Sequence, residues 1–201
     1  MSSVESFISF LDVCIHTLLH SRAVYPVTLF ERRAVYGCVV WQCRSPLVCH
    51  SLHKLFDELK PLLNSNSVES IIIPFHSAEG VLLERYVINV DFAAEVSDSV
   101  TSSDVEEQLA AAVRHLQALE GSPPILPKGA TWTVQLQAHC ARQEGAPAIP
   151  FWVRVDPGDN SFTGDANCGE SSSAISPVRG RVVLKTIRAR NLSISLGRDL
   201  V

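Results

Sequence analysis

The first twenty-odd residues place the strongest constraint on the fold. Phe7, Phe10, Leu11, Cys14, Ile15, Leu18 and Leu19 recur at helical spacing, so the segment reads as a helix with one wide apolar stripe. Ser2, with Glu5 three residues on, gives it a capping box. Pro26 prevents a regular continuation and pushes Tyr25 away from helical dihedrals, which predicts an end between Arg22 and Tyr25. A stripe this wide has to be covered by the rest of the chain.

The remaining pattern supplies the cover. "CVVWQC" (38–43) is short, β-branched and aromatic, and reads as a strand. Ser45-Pro46 offers an N-cap and a proline at the first helical position. A second amphipathic helix follows on Leu47, Leu52, Leu55, Phe56, Leu59 and Leu63, and "NSNS" (64–67) ends it. "SIIIPFHS" and "VLLERYVINVDF" flank Ala78-Glu79-Gly80 and read as a hairpin, with so few polar positions that helices must cover one face. A third helix opens on a capping box, Ser103 with Glu106, and runs through Val105, Leu109, Ala112, Val113, Leu116 and Leu119 until "GSPPILPKG" stops it.

In "ATWTVQLQAHC" (130–140) Trp132, Val134, Leu136 and Ala138 alternate with polar residues, the mark of a half-buried strand. From residue 141 the character changes. An apolar centre at Phe151-Trp152 precedes a Gly-, Ser-, Asp- and Asn-rich stretch (156–180) without periodicity, a long loop of the kind that in compact domains is usually functional. "RVVLKTIRA" and "NLSISLG" close the chain as two short strands. The expected class is α+β, three helices packed on one face of a mostly antiparallel sheet, in a single domain over 1–201.

Charge and cysteine usage narrow the function. A net charge of −4 with 17 basic residues disfavours a face built to neutralise duplex phosphates, so no direct nucleic-acid partner is expected. No apolar run approaches a membrane span, and Glu5, Asp12 and His16 interrupt the N-terminus where a signal peptide would need a clean apolar core. The six cysteines (14, 38, 43, 49, 140 and 168) are then best read as reduced thiols of a nuclear or cytosolic protein.

Catalytic and metal chemistry find little support. Cys38, Cys43, Cys49 and His53 are zinc-ligand types, but the first pair lies inside a strand with four residues between, unlike a knuckle that presents two thiolates from one tight turn. His139 and Cys140 are adjacent in a strand and so face opposite ways, which prevents their pairing as base and nucleophile. No nucleophile elbow, phosphate-cradling glycine loop or metalloprotease signature is present. No cofactor, no metal site and no enzymatic activity are expected.

"FLDVCIHTLLHSRAVYPVTLFERRAVYG", followed by "LKPLLNSNSVESIIIPF", resembles the HORMA-domain family. The shared pattern is an apolar helix, then Tyr25, Pro26 and Phe30 with Arg32 and Arg33, then a helix ending in Lys60 to Leu63. It returns at "TWTV", at "PFW" and at "LKT" (184–186), and so spans most of the chain.

The resemblance implies an adaptor whose core, about 1–140, holds a partner peptide beneath a C-terminal safety belt, about 141–201, by adding the partner's strand to a sheet edge. In the branch that is most similar, the peptide is proline-rich and belongs to the catalytic subunit of DNA polymerase zeta. A Y-family inserter polymerase docks elsewhere, and the setting is translesion synthesis in the nucleus. The alternative the family allows is an adaptor of the spindle assembly checkpoint or the meiotic chromosome axis, with checkpoint or repair partners from the same family.

Residue by residue, Trp152 matches the tryptophan that packs on the peptide, with Phe151 as a companion; an indole offers an apolar face to proline rings and one N–H to a carbonyl. On the second helix Ser51 stands where relatives carry an aromatic facing the peptide, and Leu52 or Leu55 would fill that pocket in a shifted register. The second-partner surface falls on the last strands, at Leu184, Lys185, Ile194 and Leu196, with Arg181 and Gly197 departing from the pattern. On the third helix Ala111 occupies the dimer-contact arginine's place, and Arg114 follows on the same face. Tyr25 and Pro26 are expected to shape the scaffold.

Overall fold

A computed structural model describes residues 3–91, 102–122, 126–138, 180–189 and 192–200. In chain order these form α1 (Ser3–Ser21), a 3-10 turn (Val27–Leu29), β1 (Phe30–Val35), β2 (Cys38–Cys43), α2 (Pro46–Asn64), β3 (Val68–His76), β4 (Leu82–Asp91), α3 (Ser102–Gln117), β5 (Thr131–Trp132), β6 (Gln135–Ala138), β7 (Gly180–Ala189) and β8 (Leu192–Leu200). Among these residues no helix is long and apolar enough to cross a membrane. The main sheet is antiparallel throughout, in the order β5–β3–β4–β8–β7, with β6 continuing the line of β5 along β3. β1 and β2 form a separate two-stranded sheet.

α1 sits at the centre, packed by α2, α3 and β2. Its burial exceeds one stripe: Ile8, Val13, His16 and Thr17 are covered along with the seven residues of the apolar repeat. A helix buried on nearly all sides must satisfy its polar side chains internally. His16 does so by accepting the Cys43 N–H at Nδ1 (3.2 Å), while its Nε2 lies 3.4 Å from Asp12 Oδ1. That contact also ties the β1–β2 hairpin to the central helix.

The ends of α1 and α2 share one device. Val24 N–H reaches Leu19 O and Ala23 N–H reaches His20 O, with Ala23 in the left-handed region (φ 52°). Ser67 N–H to Leu62 O and Asn66 N–H to Leu63 O repeat the pattern around Asn66 (φ 50°). These are Schellman turns, which satisfy the last carbonyls of a helix. α1 therefore stops before Pro26 can act on it. α3 includes Ser102, so Ser103 lies within the helix and is not its N-cap.

Two expectations from sequence change, and one strand was not foreseen. "FERRAV" is a strand, β1, joined to β2 through Tyr36-Gly37, both with positive φ (50° and 65°), the conformation a two-residue hairpin requires. The strand expected over 130–140 breaks at Thr133 and Val134, opposite Pro74, which has no N–H to give; Thr133 N–H instead reaches Pro74 O at 3.3 Å. β8 runs on past Gly197 to Leu200. His139, Cys140 and the 156–179 part of the long loop lie outside the described residues.

Ala23 supplies a test. A left-handed alanine costs roughly 1 kcal/mol against glycine. Ala23→Gly is expected to raise unfolding free energy by about that amount, seen as a higher urea midpoint at unchanged slope. No gain would mean that Ala23 is not left-handed in solution.

Candidate partner-binding site

The two edges of the main sheet are unlike. β7 has a bulge at Leu184, between the Val183–Gly197 and Lys185–Leu196 pairs, and its sequence carries Arg181, Lys185 and Arg188. Bulges and basic residues are the usual protection of an edge against strand addition. β6 is Gln-Leu-Gln-Ala, with no charge and no proline. Among the described residues nothing pairs with the far side of β5 or β6. Half of their backbone N–H and C=O groups point away from β3, a template for one more strand.

Side chains hold this edge in place. Gln137 accepts Ser70 Oγ at 3.1 Å and donates to Glu69 Oε2 at 3.2 Å. Trp132 Nε1 donates to the Tyr25 hydroxyl at 3.1 Å. The turn after α1 thus has a definite duty, since Tyr25 fixes the indole at the start of the edge. On the helix-facing side Trp132, Val134 and Leu136 are half-buried and pack against the core, leaving a partly open apolar strip along the edge.

The structure sorts the sequence-derived site residues. Trp152 and Phe151 lie outside the described residues. Ser51 is exposed on α2, one helical turn before Leu55, which is half-buried against the core. Leu52 is buried and unavailable to a peptide. Leu47, expected on the apolar face, is 82% exposed at the first turn of α2 and forms one line with Ser51 and Leu55.

One expectation is corrected, and a second residue gains a contact within its own chain. Ile194 and Leu196 were placed on a docking surface, yet both are core residues, because alternation along β8 turns them toward the helices. Of the same surface, Leu184 is the bulge residue and Lys185 pairs with Leu196 through the backbone. On α3, Ala111 is half-exposed, but Arg114 turns back on its own chain, its Nη1 lying 3.3 Å from Cys38 Sγ, and Gln117 donates to Val39 O at 2.6 Å. Arg114 is exposed, and its contact with Cys38 helps to clamp β2 to α3.

The sequence reading missed a cluster beside the C-terminal strand. Glu84, fully buried, accepts Arg22 Nε at Oε1 (2.7 Å) and Arg198 Nη2 and Nε at Oε2 (2.7 and 3.1 Å). Arg22 Nη1 also donates to Leu119 O (3.2 Å) and Ser122 O (2.9 Å) beyond the end of α3. Its only sequence signal was three charges inside otherwise apolar or turn-like segments.

Ionisation points away from thiol chemistry. Burial first, and then Asp12, pushes the Cys14 thiol far up; Cys49 also moves up, by burial and then by Cys43. Burial raises Tyr36 to about 12. His20, stacked on Trp41 at 4.6 Å, and His76 are both held below the ordinary imidazole value of 6.5 by burial. Among the described residues no three metal-ligating side chains cluster.

No protein-family model matches the chain. It is 25% identical over 159 residues to the DNA polymerase zeta processivity subunit of Schizosaccharomyces pombe, covering 74% of this chain and 73% of that protein. It is 27% identical over 157 residues to the human mitotic spindle assembly checkpoint protein MAD2B, covering 75% and 74%. The fold matches a chain of the mitotic checkpoint complex with a TM-score of 0.76 at 18% identity, over 99% of this chain and 98% of that one. It matches Caenorhabditis elegans HTP-2 bound to a HIM-3 closure motif with a TM-score of 0.70 at 15% identity, over 98% and 89%.

The histidines give the site's own prediction. A folded chain whose imidazoles sit below 6.5 binds fewer protons than the unfolded chain around that pH, so stability rises with pH through this range and falls on acidification. Urea midpoints at about pH 5 and about pH 7.5 should differ in that direction, and less so in the His20→Gln/His76→Gln double variant. An unchanged difference in the double variant would assign the effect to other groups.

Proposed function

Because the chain resembles the HORMA-domain relatives in sequence and has their fold, we propose that it is a non-catalytic adaptor of DNA polymerase zeta in translesion synthesis. In this reading residues 1–140 are the core and 141–201 the belt. A proline-rich peptide of the catalytic subunit adds as a strand to the β5–β6 edge, and the belt closes over it. A Y-family inserter polymerase docks on a different surface, which makes the chain a bridge acting in the nucleus.

One observation carries the reading. β6 ends at Ala138 and β7 begins at Gly180, at opposite edges of the same sheet. The four strand spacings between those edges come to about 19 Å, so β7 lies far from the β5–β6 edge, whose far side is unpaired among the described residues. The arrangement also suits prolines: an added strand becomes the new edge, where a missing N–H can face outward at no cost to the ladder.

The relatives lend the partner. One of them is a DNA polymerase zeta processivity subunit, and the HTP-2 structure holds a closure motif. The checkpoint reading draws on the name of the human relative; a pull-down that returned only checkpoint or chromosome-axis proteins would favour it.

Titration calorimetry of a proline-rich peptide from the same organism's polymerase zeta catalytic subunit tests the proposal. Tight binding is expected, weakened by on the order of 2 kcal/mol or more in Trp152→Ala if the indole anchors the peptide. Absence of binding to the wild-type chain would overturn the polymerase reading.

A further inference from the structure

β8 meets β4 through a crossed set of charges. On β4, Glu84 faces the helices and Arg85 the opposite side; on β8, Arg198 faces the helices and Asp199 the opposite side. Arg198 bonds Glu84 on one face, and Arg85 Nε bonds Asp199 Oδ2 at 3.0 Å on the other. Slipping β8 by one residue would turn Arg198 away from Glu84 and bring Asp199 toward it, a like-charge meeting inside the fold. The four residues therefore specify a single register.

Glu84 has a second arginine. Arg22, at the end of α1, holds Oε1 while Arg198 holds Oε2, so the two guanidinium groups use separate oxygens of one carboxylate. A buried ion pair is normally hard to break because the partner left behind is stranded without its counter-charge. Here a departing β8 would carry Arg198 into water and leave Glu84 still paired with Arg22. Arg22 is in turn fixed by the Leu119 and Ser122 carbonyls, so it stays in place.

We propose that Glu84, Arg22 and Arg198 form a detachable latch that docks β8 in one register and lets it leave without stranding a buried charge. Arg22 is the permanent partner and Arg198 the removable one. The latch itself rests on the ion pairs alone; its use, releasing the belt so that a partner strand can enter, rests on the adaptor reading.

Amide hydrogen exchange on the full chain without partner separates the roles. Arg198→Gln should raise exchange across residues 192–200 by roughly tenfold while β3 amides keep their protection, because only local opening becomes easier. Arg22→Gln should instead lower protection in β3 and β8 together. If Arg22→Gln does not fold, Arg85→Asp provides the second test: it should loosen β8, and the swap Arg85→Asp/Asp199→Arg should restore wild-type exchange. Equal global loss from Arg198→Gln, unchanged β8 exchange, or failure of the swap to rescue would each overturn the latch.

Peptide association adds the link to function: Arg198→Gln should bind the polymerase peptide several-fold faster than wild type. If no variant binds the peptide, the adaptor reading fails while the exchange data still decide the latch. If binding is normal but β8 exchange does not respond, the latch fails alone.

Discussion

A single buried carboxylate organises this molecule. Glu84 is fully enclosed, and each of its carboxylate oxygens is held by a different arginine. Its two arginines come from places remote in sequence, the end of α1 and the last strand, and one of them also gathers the carbonyls beyond α3. Tyr86, edge-on to Phe75 at 5.7 Å and lying under Arg198, lines the same enclosure. Apolar packing would tolerate several placements of β8 against β4. Fixed charges tolerate one.

That placement has consequences at the other side of the sheet. With β8 and β7 built onto β4, the line β5–β6 becomes the opposite boundary. Nothing in its sequence discourages pairing, whereas β7 carries a bulge and basic residues. Trp132, held by Tyr25, and the half-buried Val134 and Leu136 turn that boundary into a surface with both hydrogen-bonding and apolar character. The partner-binding role we propose uses this asymmetry and needs no reactive side chain, in keeping with thiols that burial drives away from their ionised form.

Much of the architecture was legible because its signals are periodic. The spacing of Phe7 to Leu19 and the turn at Ala78-Glu79-Gly80 each report a local backbone state that the fold keeps. What escaped were features set by distant partners. "FERRAV" looks too charged for a strand until Tyr36-Gly37 folds it onto β2; "GRDL" looks like a turn until Glu84 and Arg85 claim its charges. Ile194 and Leu196 seemed free to face a partner because sequence cannot tell which face of a terminal strand meets the helices. The contact between Arg114 and Cys38 across the β2–α3 junction also has no local signal.

The most direct test is a hydrogen-exchange footprint of the captured peptide. Saturating the chain with a proline-rich peptide from the polymerase zeta catalytic subunit should slow exchange at the outward-pointing amides among residues 131–138, the open edge of the sheet. Protection confined to β7, or to the surface of α2 with residues 131–138 unchanged, would contradict strand addition at that edge.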